Sequence, residues 1–322
     1  MSQLRSTSDL IQSLEGLGLG CWAYGGAAWG GQDDHDSFDA MQSCLDAGIR
    51  HFDTAIAYGK GRSERVVGEF IRQQQARDRV VLATKGVMPD MTAEQARTRL
   101  ENSLENLGVE SVDLYYIHWP NSSKDMRPVM EQLERFREQG RLKAIGVSNF
   151  SVQQMDQVRE VGTIDVHQLC YSLYWRQPEA EIIPYCREHG IAVVTYSSLA
   201  QGILTGKFPR QPRFPEGDQR PNAVIWFREE NWPTIHEATE QLKHVAAECG
   251  QSLTHLAIQW ALNQPGITSV LVGARNGEQA RQNVAALEAN VPQDALQKAT
   301  EISDRIVKTF PAEAWNIFGM NP

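Results

Sequence analysis

An acid, a phenol, a lysine and a histidine occur where they could together perform proton-transfer chemistry. Asp53 and Tyr58 lie in "HFDTAIAYGKGRSE", Lys85 in "VVLATKG" and His118 in "VDLYYIHWP". An isolated phenol has a pKa of about 10, and a nearby ammonium group lowers that pKa because it favours the phenolate. A carboxylate keeps a buried lysine charged, and an imidazole orients an oxygen by hydrogen bonding. A phenol in such surroundings could donate its proton to an oxygen that gains negative charge. Carbonyl reduction requires such a proton donor together with a hydride.

Each of these residues also has an ordinary structural interpretation. Asp53 and Lys85 could be solvated loop charges or a structural ion pair. His118 could be a hydrogen-bonded core histidine, and Tyr58 could simply pack over its loop. The chemical interpretation therefore depends on how the surrounding elements place all four residues.

Short apolar runs alternate with longer amphipathic stretches along the chain. The eight predicted strands are "GLGLGCW", "IRHFDT", "RVVLATK", "VDLYYIHW", "LKAIGVS", "DVHQLCY", "IAVVTY" and "SVLVGA". Helices are predicted between them, such as "SFDAMQSCLDAG", "SERVVGEFIRQQQ", "TAEQARTRLENSLENL", "MRPVMEQLERFREQG" and "PEAEIIPYCREHG". Capping boxes are predicted at Thr92 with Gln95 and at Ser151 with Gln154. Glycines that suit left-handed helix ends are Gly48, Gly108, Gly140 and Gly190.

This alternation predicts an α/β fold with a parallel sheet covered by helices. Eight units in one chain favour a closed (β/α)8 TIM barrel, and we expect residues 1–322 to form one domain. A long loop, roughly residues 197–233, follows the seventh strand and is expected to have a function. The C-terminal tail "TFPAEAWNIFGMNP" could fold back near the barrel mouth or pack loosely.

In such a barrel the reactive side chains lie at the carboxyl ends of the strands, on one face. Asp53, Lys85 and His118 come at the ends of the second, third and fourth predicted strands, and Tyr58 follows the second. The sequence therefore predicts that these four residues converge. Further polar candidates at strand ends are Ser148, Asn149, Gln168 and Tyr196.

The overall composition restricts the possible partners and compartment. The chain has 322 residues, 41% hydrophobic and 22% charged, with a formal net charge of −9. This charge argues against nucleic acid or an anionic membrane as a partner through a broad basic face. No transmembrane run or signal-peptide pattern occurs, and the five scattered cysteines form no CxxC pair. We expect a cytoplasmic protein without a structural zinc site or disulfide framework.

Two short glycine motifs do not support nucleotide binding of the usual kinds. "GLGCWA" matches the dinucleotide fingerprint formally, but a glycine-rich loop follows it instead of the required helix. "GILTGKF" resembles a phosphate-binding loop but has the wrong spacing and lacks the Ser or Thr that would hold magnesium.

Five segments in order along the chain resemble the aldo-keto reductase family. They are "HFDTAIAYGKGRSERVVGEF", "VVLATKG", "VDLYYIHWP", "IGVSNFS" and "ITSVLVGARNGEQARQNVAAL". The resemblance implies a (β/α)8 barrel that reduces aldehydes or ketones with NADPH, bound across the barrel mouth without a Rossmann fold. It also implies the catalytic tetrad Asp53, Tyr58, Lys85 and His118, with Tyr58 as the general acid.

The resemblance assigns further residues to the cofactor. It implies that Ser148, Asn149 and Gln168 bind the nicotinamide carboxamide and that Tyr196 stacks on the ring. The residues implied at the pyrophosphate are Ser197, Leu199, Gln201 and Gly202, and those at the adenine end are Gly273, Arg275, Gln279 and Asn283. A guanidinium near a helix start suits a 2′-phosphate. Where some members carry a Lys-Ser pair and a later arginine, this chain has Gly273, Ala274 and Gln279, so the expected preference for NADP depends mostly on Arg275.

Aromatic residues after the predicted strand ends are candidates for the substrate pocket. Trp22 and Trp29 are favoured because they follow the first strand in a glycine-rich loop, and Trp22 is also a cofactor candidate. Trp119 and Trp175 are further candidates, beside Tyr58 and His118. This aromatic bulk favours aldehydes or flat ketones over large charged sugars. The oligomeric state stays open, with a monomer slightly favoured.

Two other functions remain to be distinguished. Channel-associated β subunits resemble aldo-keto reductases and bind NADPH while acting chiefly as partners, so a regulatory binding subunit is one alternative. A metal-dependent barrel hydrolase is the other, because His51 and Asp53 form an H-x-D pattern close to Lys85 and His118. The hydrolase would leave Tyr58 and the Ser148–Asn149 pair without a role.

Overall fold

Eight parallel strands form a closed barrel in the order in which they follow one another along the chain. The computed structural model describes residues 6–26 and 30–320. The strands are β1 Gly16–Gly20, β2 His51–Asp53, β3 Val81–Gly86, β4 Val112–Ile117, β5 Leu142–Ser148, β6 Val166–Cys170, β7 Ala192–Tyr196 and β8 Ser269–Gly273. β8 pairs with β1 in parallel and so closes the sheet. The predicted (β/α)8 barrel is confirmed.

Twelve α-helices surround or cap this barrel within the described residues. They are α1 Thr7–Gln12, α2 Asp34–Asp46, α3 Arg62–Gln73, α4 Ala93–Leu107, α5 Arg127–Glu138, α6 Val152–Arg159, α7 Ile182–Glu188, α8 Arg220–Ala223, α9 Trp232–Glu248, α10 Leu253–Leu262, α11 Gly277–Ala285 and α12 Gln293–Val307. All eight predicted strands are present, with ends that differ by one or two residues. β4, for example, ends at Ile117, one residue before His118.

The predicted helices are present, but α2 begins three residues earlier than expected, α7 begins four residues later, and one predicted cap differs. Ser151 and Gln154 form the expected reciprocal capping box. Thr92 accepts a hydrogen bond from the backbone N–H of Gln95, but the Gln95 side chain bonds to Asp90 instead. The prediction of a capping box at Thr92 was therefore wrong. The carboxylate and the backbone N–H of Asp90 bind the Gln95 side chain instead. Left-handed glycines end their helices as expected at Gly48, Gly108, Gly140 and Gly190.

A separate apolar cluster fills the inside of the barrel. It includes Val81, Ala83, Leu114 and Val194, residues that alternate along their strands and so point to one side. The N-terminal helix α1 was not predicted, yet its Leu10 and the Leu14 that follows the helix belong to the same cluster. They close the amino-terminal end of the barrel, so its open mouth lies at the carboxyl ends of the strands.

The loop after β7 and the C-terminal tail pack over the barrel. Residues 197–233 contain the 3-10 helices Ala200–Thr205 and Ile225–Phe227 as well as α8. The Ile225 N–H donates to the Ile317 carbonyl at 3.0 Å, and the Ile317 side chain is fully buried. The tail therefore folds back near the mouth rather than hanging loosely. Within the described residues, no helix combines the length and apolarity that crossing a membrane requires.

The position of Leu14 predicts a large effect on stability. Leu14→Ala should lower the free energy of unfolding by about 2–5 kcal/mol, because it leaves a cavity where the side chain closes the barrel. Leu287→Ala, at a residue 40% exposed, should change it by less than about 0.5 kcal/mol. Denaturant unfolding of both variants checks this. Equal small effects would show that Leu14 does not close the barrel.

Candidate active site

A buried lysine at the end of β3 connects three of the four predicted catalytic residues. Lys85 Nζ lies 2.5 Å from Asp53 Oδ1 and 2.8 Å from the carbonyl oxygen of Thr54. It lies 3.5 Å from Tyr58 Oη. Gln168 of β6 donates its amide N–H to the other oxygen of Asp53 at 2.9 Å. Side chains from three strands and one loop therefore meet at the mouth, as expected from their positions in the sequence.

The pairing with Asp53 determines the charge of Lys85. Its side chain is 0% exposed and that of Asp53 is 3% exposed. Burial alone would lower the pKa of Lys85, but the carboxylate of Asp53 and the phenol of Tyr58 outweigh it, so the pKa lies above its ordinary value. Lys85 is therefore an ammonium at neutral pH.

Tyr58 lies between Trp22 and His118 and retains its proton at neutral pH. Its ring stacks on Trp22 with centroids 6.0 Å apart and meets the His118 ring edge-on at 5.9 Å. Burial raises the pKa of Tyr58, whereas Lys85 lowers it, and the net pKa is above the ordinary value of 10.0. The expected effect of the lysine is present, but desolvation is larger. The expectation that the pKa moves below its usual value was wrong.

His118 is a neutral imidazole directly after β4. Burial and the neighbouring charge of Lys85 hold the pKa of His118 well below 6.5. Its Nδ1 is buried and has no hydrogen-bond partner within the described part of the chain. Trp119 stacks beside it at 6.1 Å. A neutral imidazole at this position can take part in a hydrogen bond without adding a charge.

Close backbone packing holds the loop that carries Tyr58. A Cβ added at Gly59 would lie 2.1 Å from the Gly25 carbonyl oxygen, so only glycine permits this contact. Ser63 donates its hydroxyl hydrogen to the Cys21 carbonyl at 2.7 Å and lies 2.8 Å from the hydroxyl of Thr54. The loop after β1 and the loop after β2 are therefore fixed against each other, which positions Trp22 and Tyr58.

A second polar group lines the mouth between β5 and β7. Tyr196 donates its hydroxyl hydrogen to Asn149 Oδ1 at 2.7 Å, and Asn149 Nδ2 donates to Ser148 Oγ at 3.0 Å. Asn149 has a φ of 64°, in the left-handed region. These three predicted residues lie together, whereas Gln168 contacts Asp53 through its amide nitrogen.

The loop after β7 begins with an unusual series of left-handed residues. Ser197 and Gln201 have φ values of 55° and 56°, and Gly202 has 89°. Gln201 donates its amide N–H to Ser197 Oγ at 2.6 Å. Leu199, also predicted, precedes the 3-10 helix at its N-terminal cap position. This backbone forms a tight turn beside the mouth.

Two cations near this turn were not predicted as site residues. A Cβ at Gly202 would lie 3.4 Å from Lys207 Nζ and 3.4 Å from Arg220 Nη1. Arg220 pairs with Asp218 at 2.5 Å and donates to the Gln201 carbonyl at 3.0 Å. Desolvation lowers the pKa of Lys207, and the charges of Arg220 and Arg275 lower it further. The signal in the sequence was Lys207 within "GILTGKF", where the wrong spacing for a phosphate-binding loop drew attention away from the lysine itself.

The predicted residues at the end of β8 form a hydrogen-bonded turn. The backbone N–H of Arg275 donates to Gln279 Oε1 at 3.0 Å, and Asn283 Nδ2 donates to the Gly273 carbonyl at 3.1 Å. Arg275 donates from Nε to Gln32 Oε1 at 2.9 Å. Gln279 and Asn283 therefore hold the turn that carries Arg275, and their side-chain groups are engaged within the protein.

The aromatic candidates divide into two groups. Trp22 and Trp119 lie at the mouth, and Phe318 of the tail meets Trp22 edge-on at 5.9 Å. Trp175 is fully buried and donates from Nε1 to the Trp315 carbonyl at 3.3 Å. The prediction of Trp175 as a pocket residue was therefore wrong, because its indole is part of the core. Trp29 lies outside the described residues.

The H-x-D pattern on β2 does not form part of a metal centre in the described structure. His51 Nδ1 lies 3.3 Å from Ser269 Oγ, and burial lowers the pKa of His51 to about 4. In the described ranges, no group of three or more His, Cys, Asp or Glu side chains is arranged to hold a metal ion. Asp53 is engaged with Lys85 and Gln168 instead.

Comparisons with known proteins identify the family. A model of the aldo/keto reductase family matches residues 16–304. The chain is 39% identical over 279 residues to the aldo-keto reductase YhdN of Bacillus subtilis, with 84% of each chain covered. It is 33% identical over 308 residues to the NADH-specific methylglyoxal reductase of Escherichia coli, covering 88% of this chain and 93% of that protein.

A solved structure agrees with these sequence matches. The glycerol dehydrogenase of Gluconobacter oxydans superposes with a TM-score of 0.80 at 32% identity, covering 90% of this chain and 92% of that one. The resemblance noted in the sequence is confirmed across most of the chain and by the closed eight-stranded barrel. The protein belongs to the aldo/keto reductase family of oxidoreductases.

Proposed function

We propose that the protein is an NADPH-dependent reductase of aldehydes or ketones in which Tyr58 is the general acid. The observation that carries the proposal is the contact of a buried, charged Lys85 with both Asp53 and Tyr58. A group within 3.5 Å of an ammonium is stabilised when it becomes negative. The ammonium of Lys85 therefore favours proton transfer from the phenol to a substrate oxygen that gains negative charge, because it stabilises the phenolate that forms.

The catalytic residues have separate tasks in this proposal. Tyr58 Oη donates its proton to the carbonyl oxygen as that oxygen gains negative charge, and Lys85 stabilises the phenolate that remains. Asp53 keeps Lys85 charged. His118, being neutral, orients the carbonyl oxygen toward Tyr58 by a hydrogen bond. Trp22 and Trp119 restrict the access of water to the reacting atoms.

The donor set along the mouth is suited to a nicotinamide dinucleotide phosphate, which would supply the hydride when bound. Ser148, Asn149 and Tyr196 lie together at the mouth, and we assign them to the nicotinamide end. Lys207 Nζ and Arg220 Nη1 each lie 3.4 Å from the position that a Cβ of Gly202 would occupy, so both cations lie beside this turn. Cationic side chains beside such a turn favour the binding of an anion. We therefore add both cations to the predicted pyrophosphate residues.

Arg275 supports a preference for NADPH over NADH. It lies at the turn before α11, and a guanidinium suits a 2′-phosphate because it can donate several hydrogen bonds to it. The Escherichia coli relative is described as NADH-specific, so family membership alone does not determine the nucleotide. The assignment to NADPH therefore depends on Arg275 of this chain.

The substrate proposed is a small aldehyde or ketone. The ring of Trp22 contacts those of Tyr58 and Phe318, so an aromatic wall lies beside the proposed proton donor. Two relatives are described by three-carbon oxygen compounds, methylglyoxal and glycerol. Both the aromatic wall and these relatives favour a compact substrate over a large charged sugar.

Replacing Tyr58 tests the proposed acid. Tyr58→Phe should reduce kcat for aldehyde reduction by roughly 10²–10⁴-fold, because the ring remains and the proton donor is lost. NADPH binding, followed by quenching of protein fluorescence, should stay within about twofold. Tyr185→Phe, at a tyrosine that bonds Asp156 and Arg159 on a helix surface, is the matched control and should leave kcat unchanged.

The same assay separates the alternative functions. A regulatory binding subunit would bind NADPH but consume it only very slowly with excess aldehyde. A metal-dependent hydrolase would lose its activity in chelator, whereas the reductase should not. Full aldehyde reduction by Tyr58→Phe would exclude Tyr58 as the acid.

Alanine substitutions of Arg275 and Lys207 should have different effects on the binding of NADPH and NADH. Arg275→Ala should weaken NADPH binding by about 10–100-fold while leaving NADH within about twofold, since only NADPH carries the 2′-phosphate. Lys207→Ala should weaken both, because the pyrophosphate is common to them. Arg281→Ala, an exposed arginine on α11 that bonds Ser43, is the control. Equal effects of Arg275→Ala on both nucleotides would refute its assignment.

A further inference from the structure

Gln32, in the loop after β1, forms a reciprocal pair of hydrogen bonds with Arg275. Arg275 Nε donates to Gln32 Oε1 at 2.9 Å, and Gln32 Nε2 donates to the Arg275 carbonyl at 2.7 Å. Arg275 Nη2 also donates to the Gly31 carbonyl. One edge of the guanidinium is therefore held by two oxygens from a loop that is 243 residues away in sequence.

Both oxygens that hold Arg275 are neutral, which leaves its charge intact. Two other arginines near the mouth are paired with carboxylates: Arg62 with Asp34 at 2.6 Å and Arg220 with Asp218 at 2.5 Å. Within the described residues Arg275 has no such ion pair, and its Nη1 has no hydrogen-bond partner. A fixed guanidinium with one free edge and an uncompensated charge is prepared to bind an anion.

Gln32 is itself held from several directions. Its backbone carbonyl accepts from Arg62 Nη2 at 3.1 Å, and its side-chain nitrogen lies 3.1 Å from Ser37 Oγ of α2. Arg62 begins α3, the helix that follows the loop carrying Tyr58. Gln32 is therefore hydrogen-bonded to both α2 and α3 while its amide holds Arg275.

We propose that Gln32 is a positioning residue that determines the discrimination between NADPH and NADH. Its amide fixes Arg275 without neutralising it, and the inference rests on the proposed contact of Arg275 with the 2′-phosphate. A carboxylate in the same place would keep the hydrogen bond from Nε, cancel the charge of the guanidinium and repel a phosphate. The neutral amide is therefore the group that permits this arginine to select a phosphorylated nucleotide.

The near-isosteric variant Gln32→Glu tests the proposal. Dissociation constants for NADPH and NADH are measured by fluorescence quenching, together with kcat for an aldehyde at saturating nucleotide. NADPH should bind about tenfold more weakly or worse, while NADH binding and kcat change by less than about twofold. Gln12→Glu, an exposed glutamine at the end of α1, adds the same charge at the closed end of the barrel and should change neither constant.

A double-mutant cycle shows whether Gln32 acts through Arg275. Gln32→Ala should reduce the NADPH preference in the natural chain but have no further effect once Arg275 is alanine. An equal loss of both nucleotides in Gln32→Glu, or additive effects in the cycle, would overturn the proposal. If Arg275→Ala leaves the preference unchanged, the proposed 2′-phosphate contact fails. If Arg275→Ala changes it and neither Gln32 variant does, only the role of Gln32 fails.

Discussion

The site depends on the buried ion pair between Lys85 and Asp53. A charged lysine is costly to remove from water, and a single partner rarely compensates unless further hydrogen bonds complete the arrangement. Here Lys85 also donates to the Thr54 carbonyl, and Gln168 occupies the second oxygen of Asp53. These groups come from β2, β3 and β6, which approach one another only because the barrel is closed. The fold thus provides what the lysine needs in order to remain charged beside Tyr58.

The loop after β1 connects the parts of the mouth that no strand connects directly. Trp22 stacks on Tyr58, Gly25 permits the close contact with Gly59, and Gln32 holds Arg275. The same loop therefore touches the proposed proton donor and the proposed phosphate ligand. A change in this loop would alter both ends of the cofactor region even though it changes no residue of the tetrad.

The strands and most of the site could be predicted because local patterns determine them. Short apolar runs between amphipathic stretches identify the strands. Asp53 and Lys85 then point to the mouth because each occupies the last inward position of its own strand. Helix α1 was missed because six residues carry too little periodicity, and only packing of Leu10 and Leu14 reveals its role. The predictions that Trp175 lines the pocket and that the pKa of Tyr58 falls below its usual value were wrong. Both depend on burial, and residues distant in sequence produce that burial.

A net charge of −9 is compatible with an anionic cofactor because electrostatic interactions in salt solution are local. The screening length at physiological ionic strength is about 8 Å, so acidic groups on distant helices have little effect at the mouth. Lys207 and Arg220 both lie 3.4 Å from the position of a Gly202 Cβ, and Arg275 is close enough to lower the pKa of Lys207. Asp218 compensates part of this charge through Arg220, but neutral oxygens hold Arg275. Anion binding at the mouth is therefore decided by the cations that lie there and by the partners that hold them, rather than by the sum of charges along the chain.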